Sequence, residues 1–211
     1  MSRHIVVWSG GADSTLLLAS LLEKYNNTEP VVALTINHFM LHFFKTQQEE
    51  AARARITRAL ALAGYTFEHV VLNVTVDDGN NVFDKSDARG LVQPIVWYSN
   101  IFPYLQNDDI IYLGYIRGDD MWHHKTEIDN IVYYVKQLMY LNVKFKYPLE
   151  WVSKAEVYKG LKRFMLDQFV WTCETPLENG HPCHTCNPCR HKYLAEYELQ
   201  HTTVNNPEIE L

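Results

Sequence analysis

The 211-residue chain carries 19 basic and 25 acidic side chains, a formal net charge of -6 and a pI near 5.9. Nucleic acid demands a basic surface, so this acidic balance speaks against a nucleic-acid partner and for small-molecule chemistry. Hydrophobic residues at 47% and charged ones at 21% describe an ordinary globular domain with a full core.

Along the chain, Ile5 to Trp8 is a short apolar run that a glycine pair closes. It is too short for a signal-peptide core, and no 18-residue apolar stretch exists to span a membrane. A cytoplasmic protein with no membrane partner is the expectation. Continuous apolar runs suit buried parallel strands, and Ile5–Trp8, Val31–Ile36 and Val70–Val76 read that way. Between them, Thr15–Lys24 and Thr46–Leu62 read as helices, the second stopped by Gly64. This β-α-β-α-β order requires crossovers, so the expected fold is α/β with a doubly wound, Rossmann-like parallel sheet.

Asp77–Gln93 is polar and reads as a loop. Ile110–Leu113 is a fourth strand candidate, followed by a loop over Gly114–Lys125 and a helix over Glu127–Tyr140. Val143–Tyr147 is a fifth strand candidate before Pro148. Ser153-Lys154-Ala155-Glu156 is a capping box that opens a helix running to about Asp167. A last helix is expected over Arg190–Leu199, and the tail from 201 to 211 reads as disordered. Residues 1–170 are thus expected to form the α/β domain, with 171–200 as a metal-binding segment packed on it.

Ser9-Gly10-Gly11-Ala12-Asp13-Ser14 lies between the first strand and first helix. Glycines let a backbone turn tightly and bring its N–H groups close to an anion. The helix behind adds the positive end of its dipole, and Ser9 and Ser14 add hydroxyls. A phosphate cradle results. It is not the common P-loop, because no lysine follows.

All four cysteines fall in one segment with the spacing C-x9-C-x2-C-x2-C, at Cys173, Cys183, Cys186 and Cys189. Four thiolates at this spacing match a tetrahedral zinc site, and tight cysteine spacings also hold iron–sulfur clusters. Disulfides do not suit a chain without an export signal. His181, His184 and His191 are read as surface residues.

Ser-Gly-Gly-x-Asp-Ser directly after a first strand resembles the signature of the PP-loop, or N-type ATP pyrophosphatase, superfamily. The resemblance implies that Ser9, Gly10, Gly11, Ala12, Asp13, Ser14 and Thr15 hold the phosphates of ATP, with Asp13 assisting Mg2+. Trp151-x-x-Lys154-Ala155-Glu156, Thr172-Cys173-Glu174 and Cys183-x-x-Cys186-x-x-Cys189-Arg190 further resemble the 7-cyano-7-deazaguanine synthase family. That family adenylates a carboxy-deazaguanine and joins it to ammonia, giving an amide and then a nitrile. The resemblance covers the first 75 residues and about 145 to 195. It implies Zn2+ on the four cysteines, catalytic roles for Asp13, Ser14 and Lys154, and small-molecule partners (7-deazaguanine carboxylate and ammonia).

The middle departs from the pattern. Where the family reads Pro-Gly-Arg-Asn, this chain has Val96-Trp97-Tyr98-Ser99-Asn100, and the next helix is expected to be short because Pro103 follows. Gly114-Tyr115-Ile116-Arg117-Gly118-Asp119-Asp120 keeps an aspartate but lacks the Tyr-Pro-Asp run. Trp97, Asn100, Asp119 and Asp120 are the substrate candidates, with Tyr98 and Trp122 as further ring contacts and Arg117 as a substitute for the lost arginine. Three alternatives stay open: a member that stops at the amide or uses another amine, a tRNA-thiolating enzyme with an iron–sulfur cluster, and a non-catalytic nucleotide-binding module. A homodimer is also left open.

Overall fold

The computed structural model describes residues 2–26, 28–38, 43–74, 92–207 and 209–211. Strands β1 (His4–Val7), β2 (Val31–His38), β3 (Glu68–Val74), β4 (Ile110–Tyr112) and β5 (Lys144–Lys146) form one sheet in the order β3-β2-β1-β4-β5. Every pairing is parallel. The chain order reverses beside β1, between β2 on one side and β4 on the other. Such a switch point opens a crevice at the C-terminal strand ends.

The side chains of β1 explain the two layers. Val6 and Trp8 point to one face, Ile5 and Val7 to the other, and all four are buried. The first face is covered by helices α1 (Ala12–Tyr25) and α2 (Phe43–Leu62), together with two later helices described below. In α1, Leu16, Leu17, Leu18, Leu21 and Leu22 are all at most 1% exposed, so this helix sits deep in the core. The second face is covered by α3 (Val92–Ile101) and α4 (Lys125–Leu138). The doubly wound α/β fold expected from the order of elements is the fold observed.

Four local expectations change. The proposed loop over Asp77–Gln93 lies outside the described residues up to 91, but Val92 and Gln93 already belong to α3. That helix contains the segment Val96–Asn100 and precedes Pro103, which begins a short 3-10 turn at Phe102–Tyr104 rather than curtailing a following helix. Tyr98, Ile101 and Phe102 are buried against β4 and β5, so packing sets this helix where the composition is ambiguous.

Helix α5 spans Lys154–Arg163 and stops earlier than Asp167. Its capping box is complete: the Ser153 hydroxyl accepts from Glu156 N–H, and Ser153 N–H donates to the Glu156 carboxylate at 2.7 Å. Helix α6 spans Asn187–His201 and packs on α5.

The tail is not the disordered segment expected. Val204 is buried, and Ile209 and Leu211 pack against the α1–α5 layer. Lys24 donates to the Leu211 carbonyl at 2.7 Å, and Lys159 donates to that of Val204. Gly160 makes this layer close, since a Cβ there would meet Leu16 at 2.7 Å and Pro207 at 3.1 Å. Three apolar residues in a polar tail find a groove that only the folded helices create.

Candidate active site and metal centre

The loop Ser9–Ser14, the candidate phosphate cradle, is built by backbone. Gly10 adopts φ 89°, a left-handed conformation that favours glycine, and a Cβ there would meet Arg53 at 2.9 Å and the Glu49 carbonyl at 3.1 Å. Gly11 is the N-cap of α1, and no side chain caps it among the described residues. Gly11 N–H donates instead to Ser9 Oγ at 3.1 Å, and the Ser9 and Ser14 hydroxyls lie 3.3 Å apart. The first-turn N–H groups of α1 therefore face the crevice with two hydroxyls beside them. This arrangement suits an anion, because the helix end carries partial positive charge.

Two contacts hold the loop from outside its own sequence. Arg53 on α2 is 4% exposed, donates to the Ser9 carbonyl at 2.9 Å and also to Asn37 Oδ1 at 3.1 Å. Trp171 N–H donates to the Gly10 carbonyl at 3.1 Å. Neither residue stands out in the sequence: Arg53 sits in an ordinary Ala- and Arg-rich helix, and Trp171 acts through its backbone.

Lys154 and Asp13 meet across 141 residues. The Lys154 ammonium donates to both Asp13 oxygens, at 2.9 and 2.7 Å, and both side chains are largely shielded. Two charge-assisted bonds to one carboxylate fix the amine at the mouth of the loop. The capping box that starts α5 places Lys154 there, so its structural and site roles coincide.

A cavity of about 230 Å³ joins these groups. Ser9, Gly11, Ala12, Asp13 and Ser14 line it together with Trp97, Tyr115, Asp119 and Lys154. Thr15 is fully buried, its hydroxyl accepting from Trp8 Nε1 at 3.0 Å, so it supports the loop from below. Gly114 lies against α1, where a Cβ would come within 3.0 Å of Ser14 N. Asp119 is shielded, accepts from Ile116 N–H at 2.7 Å and is pushed up to about 6 by burial.

Other candidates lie elsewhere. Asp120 and Arg117 are exposed and outside the cavity wall, as is the half-buried Asn100 near the end of α3. Tyr98 bonds the Tyr147 hydroxyl at 2.8 Å, and Trp122 donates to the Ile116 carbonyl at 2.7 Å. Those two rings brace the wall from behind.

The cysteine segment closes the cavity on its third side. Cys173, Pro188 and His191 line it, so His191 lies beside the site although its sequence reads as surface. Glu174 pairs with Lys45 of α2, which also pairs with the cavity residue Glu49 at 3.6 Å. Burial raises Glu49 above the usual carboxylate range.

The four sulfurs all lie within 4.8 Å of one another, with Cys173 3.6 Å from Cys183 and 4.0 Å from Cys186. Cys183 is drawn down to about 5, first by the Thr175 hydroxyl, and it also accepts from Cys186 N–H at 3.3 Å. Donors aimed at a sulfur favour its thiolate form, the form that binds metal. Burial pushes the Cys173 and Cys189 thiols up instead, so the case for a metal ion rests on the convergence of the four sulfurs.

No protein-family model matches the chain. Among solved structures, the U34-tRNA thiolase NcsA from Methanococcus maripaludis, determined with its [4Fe-4S] cluster, is similar over 96% of this chain and 74% of its own, at 14% identity and TM-score 0.54. The NMN synthetase from Francisella tularensis aligns over 96% of this chain and 78% of its own, at 14% identity and TM-score 0.46. At these identities the likeness of the first speaks for the fold alone, a parallel sheet with helices on both faces.

Proposed function

We propose that the protein is an ATP-dependent enzyme that adenylates a carboxylate and releases pyrophosphate. The observation that carries this reading is the uncapped start of α1: free N–H groups and the Ser9 and Ser14 hydroxyls face a cavity that also receives Lys154 and Asp13. A carboxylate is a poor electrophile because its oxygen does not leave. Transfer of AMP to that oxygen makes it a leaving group, while the bond from the α-phosphorus to pyrophosphate breaks and negative charge collects on the departing group. Fixed donors at the loop stabilise that charge without reorganising. Lys154 offsets the negative charge of Asp13, which would otherwise repel the triphosphate. Mg2+ carried in with ATP would be held by Asp13 and would neutralise phosphate charge.

The finer reading is a ligase of the 7-cyano-7-deazaguanine synthase type, acting on a 7-deazaguanine carboxylate and ammonia. Its support is the resemblance of the loop, the Lys154 segment and the cysteine spacing, together with a cavity lining that includes Trp97, Tyr115 and Asp119. A flat heterocycle suits aromatic walls and a carboxylate that accepts its N–H edge. Ammonia then attacks the acyl carbon and AMP departs, leaving the amide. A second ATP would adenylate the amide oxygen and release pyrophosphate, and loss of AMP together with the two amide N–H protons would then give the nitrile.

Zinc is the ion we assign to the cysteines. A tetrahedral site with Zn–S bonds of about 2.3 Å places sulfurs roughly 3.8 Å apart, near the 3.6 and 4.0 Å found here. A four-iron cubane sets an iron between each thiolate and the centre, which spreads the sulfurs further. A zinc ion would tie the start of α6 to the Trp171–Cys173 segment that touches the loop before α1.

Incubating zinc-loaded protein with ATP, Mg2+, ammonia and 7-carboxy-7-deazaguanine is the test. Substrate-dependent AMP and pyrophosphate are expected, from a colourless protein with one zinc per chain. Absence of AMP from folded, metal-loaded protein would refute the ligase reading. A brown protein absorbing near 400 nm would refute the zinc assignment.

A further inference from the structure

Among the described residues, the side chains of Asp13, Glu49, Asp119 and Glu174 bring four carboxyl groups to the cavity lining, against one ammonium, that of Lys154. A polyphosphate entering such a cavity meets like charge, which works against the donors of the loop. Cations set behind the lining decide how much of that repulsion is cancelled.

Two of the nearby cations are already matched. Lys154 donates to both Asp13 oxygens, and Lys45 pairs with Glu174 and, at 3.6 Å, with Glu49. Arg53 is different. Its guanidinium is held by neutral oxygens, the Ser9 carbonyl at 2.9 Å and Asn37 Oδ1 at 3.1 Å. Glu49 and Glu50 act on it electrostatically from its own helix, but Glu49 is engaged by Lys45, and Glu50 accepts from Asn37 at 3.4 Å. No carboxylate lies within ion-pair distance of Arg53 among the described residues.

Burying a charge is costly unless an opposite charge stands close to it. Arg53 is 4% exposed, and burial is the largest influence on its guanidinium, working against the charged form. Hydrogen bonds to two carbonyl-type oxygens need only N–H donors, which a neutral amide also supplies. The charge itself therefore points to an anion that arrives with a ligand.

Its position fits that role. Ser9 belongs to the cavity lining, and Arg53 grips the Ser9 carbonyl, so the charge lies one peptide unit behind the site. That grip also turns an acceptor, which would repel phosphate, toward α2. Gly10 closes tightly over the arginine stem, where a Cβ would meet Cγ at 2.9 Å.

We infer that Arg53 is a positioning residue whose buried charge sets the affinity of the loop for polyphosphate, acting through Ser9 without touching the ligand. This inference rests on the reading of Ser9–Ser14 as the phosphate cradle. It adds a charge selectivity, in which affinity climbs with the number of phosphates carried by the nucleotide.

Titration calorimetry of AMP and ATP into wild type, Arg53→Lys and Arg53→Gln separates charge from hydrogen bonding. Mg2+ is left out so that the phosphates keep their full charge. In Arg53→Gln, ATP binding is expected to weaken roughly ten-fold or more, and AMP binding at most about three-fold. Arg53→Lys keeps the charge and should hold the ATP-to-AMP ratio of wild type. Arg53→Met supplies a second neutral side chain, suited to burial, should the glutamine variant not fold.

Equal losses for AMP and ATP, or one ATP-to-AMP ratio shared by the lysine and neutral variants, would reduce Arg53 to a brace and overturn the inference. Failure of both neutral variants to fold would show that the charge serves the fold, with the same consequence. The cradle reading is judged on wild type alone. Were wild type to bind ATP no more tightly than AMP, that reading would fall and take the inference with it.

Discussion

The cavity has two walls built on different principles. One is made of backbone and charge: the start of α1, the Ser9 and Ser14 hydroxyls, and the Lys154–Asp13 pair. The other is made of rings beside a strand-end loop, Trp97 and Tyr115, with Asp119 as the charged group among them. The first wall offers donors to any polyphosphate. The second offers shape and a few directional groups, so it selects. Such a division predicts that phosphate affinity and base recognition fail independently, except where the walls touch.

The largest effect should come from the first wall. Asp13→Ala with Ser14→Ala is expected to lower AMP formation by roughly a hundred-fold or more, as loss of oriented transition-state donors does. Calorimetric affinity for the acid should stay unchanged. If both readouts fell together, the two walls would not be separable. Next in size is metal removal. Chelation of the four cysteines should release residues 171–201 from the body, with loss of stabilisation on the order of several kcal/mol through coupled binding. Hydrogen exchange would check this, and protection should also fall at the Trp171 amide, which donates to the Gly10 carbonyl.

Gly114→Ala probes the seam where the walls meet. Its Cβ would press on Ser14 N at 3.0 Å and on Ser14 Cα at 3.1 Å, backbone atoms that cannot swing aside. A loss of about 1–3 kcal/mol in chemical denaturation is expected, as overpacking gives. Both ATP and acid affinities should drop together, the one place where independence breaks. Unchanged stability would show that β4 and α1 are less tightly coupled.

The smallest effect is a pH dependence in the second wall. Burial lifts Asp119 to about 6 in the folded chain from an ordinary value of 3.8. The folded state then holds the proton more tightly than the unfolded state does. The stabilisation is present below about 4 and is lost as pH rises through 6. Asp119→Asn keeps an acceptor for Ile116 N–H and removes this titration. Relative to wild type, it should therefore gain stability between pH 4 and 7.5, measured by urea denaturation. A constant difference across that range would show that burial does not control this carboxylate.

The parts of the molecule that were legible beforehand are those written in adjacent residues. Ser9 to Ser14 needs only its own backbone and the helix it begins, and the four cysteines need only a short knuckle to converge. The capping box at Ser153 is equally local. The second wall was partly legible: Trp97 and Asp119 lie on it, whereas Asn100 and Asp120 lie off it. Their register on α3 and on the loop after β4 depends on packing against β4 and β5, which no short window contains. Arg53 went unnoticed because a buried arginine in a helix looks like an exposed one until the neighbouring loop is in place.

Read alone, the chain determined its parallel layering, the glycine turn before α1 and the convergence of its four cysteines, because short apolar runs, glycines and cysteine spacing act within a few residues of themselves. Only the tertiary structure decided that Lys154 reaches Asp13 and that the tail packs on α1 and α5. These are contacts between elements far apart in the chain, and their geometry follows from how two helical layers close on one twisted sheet.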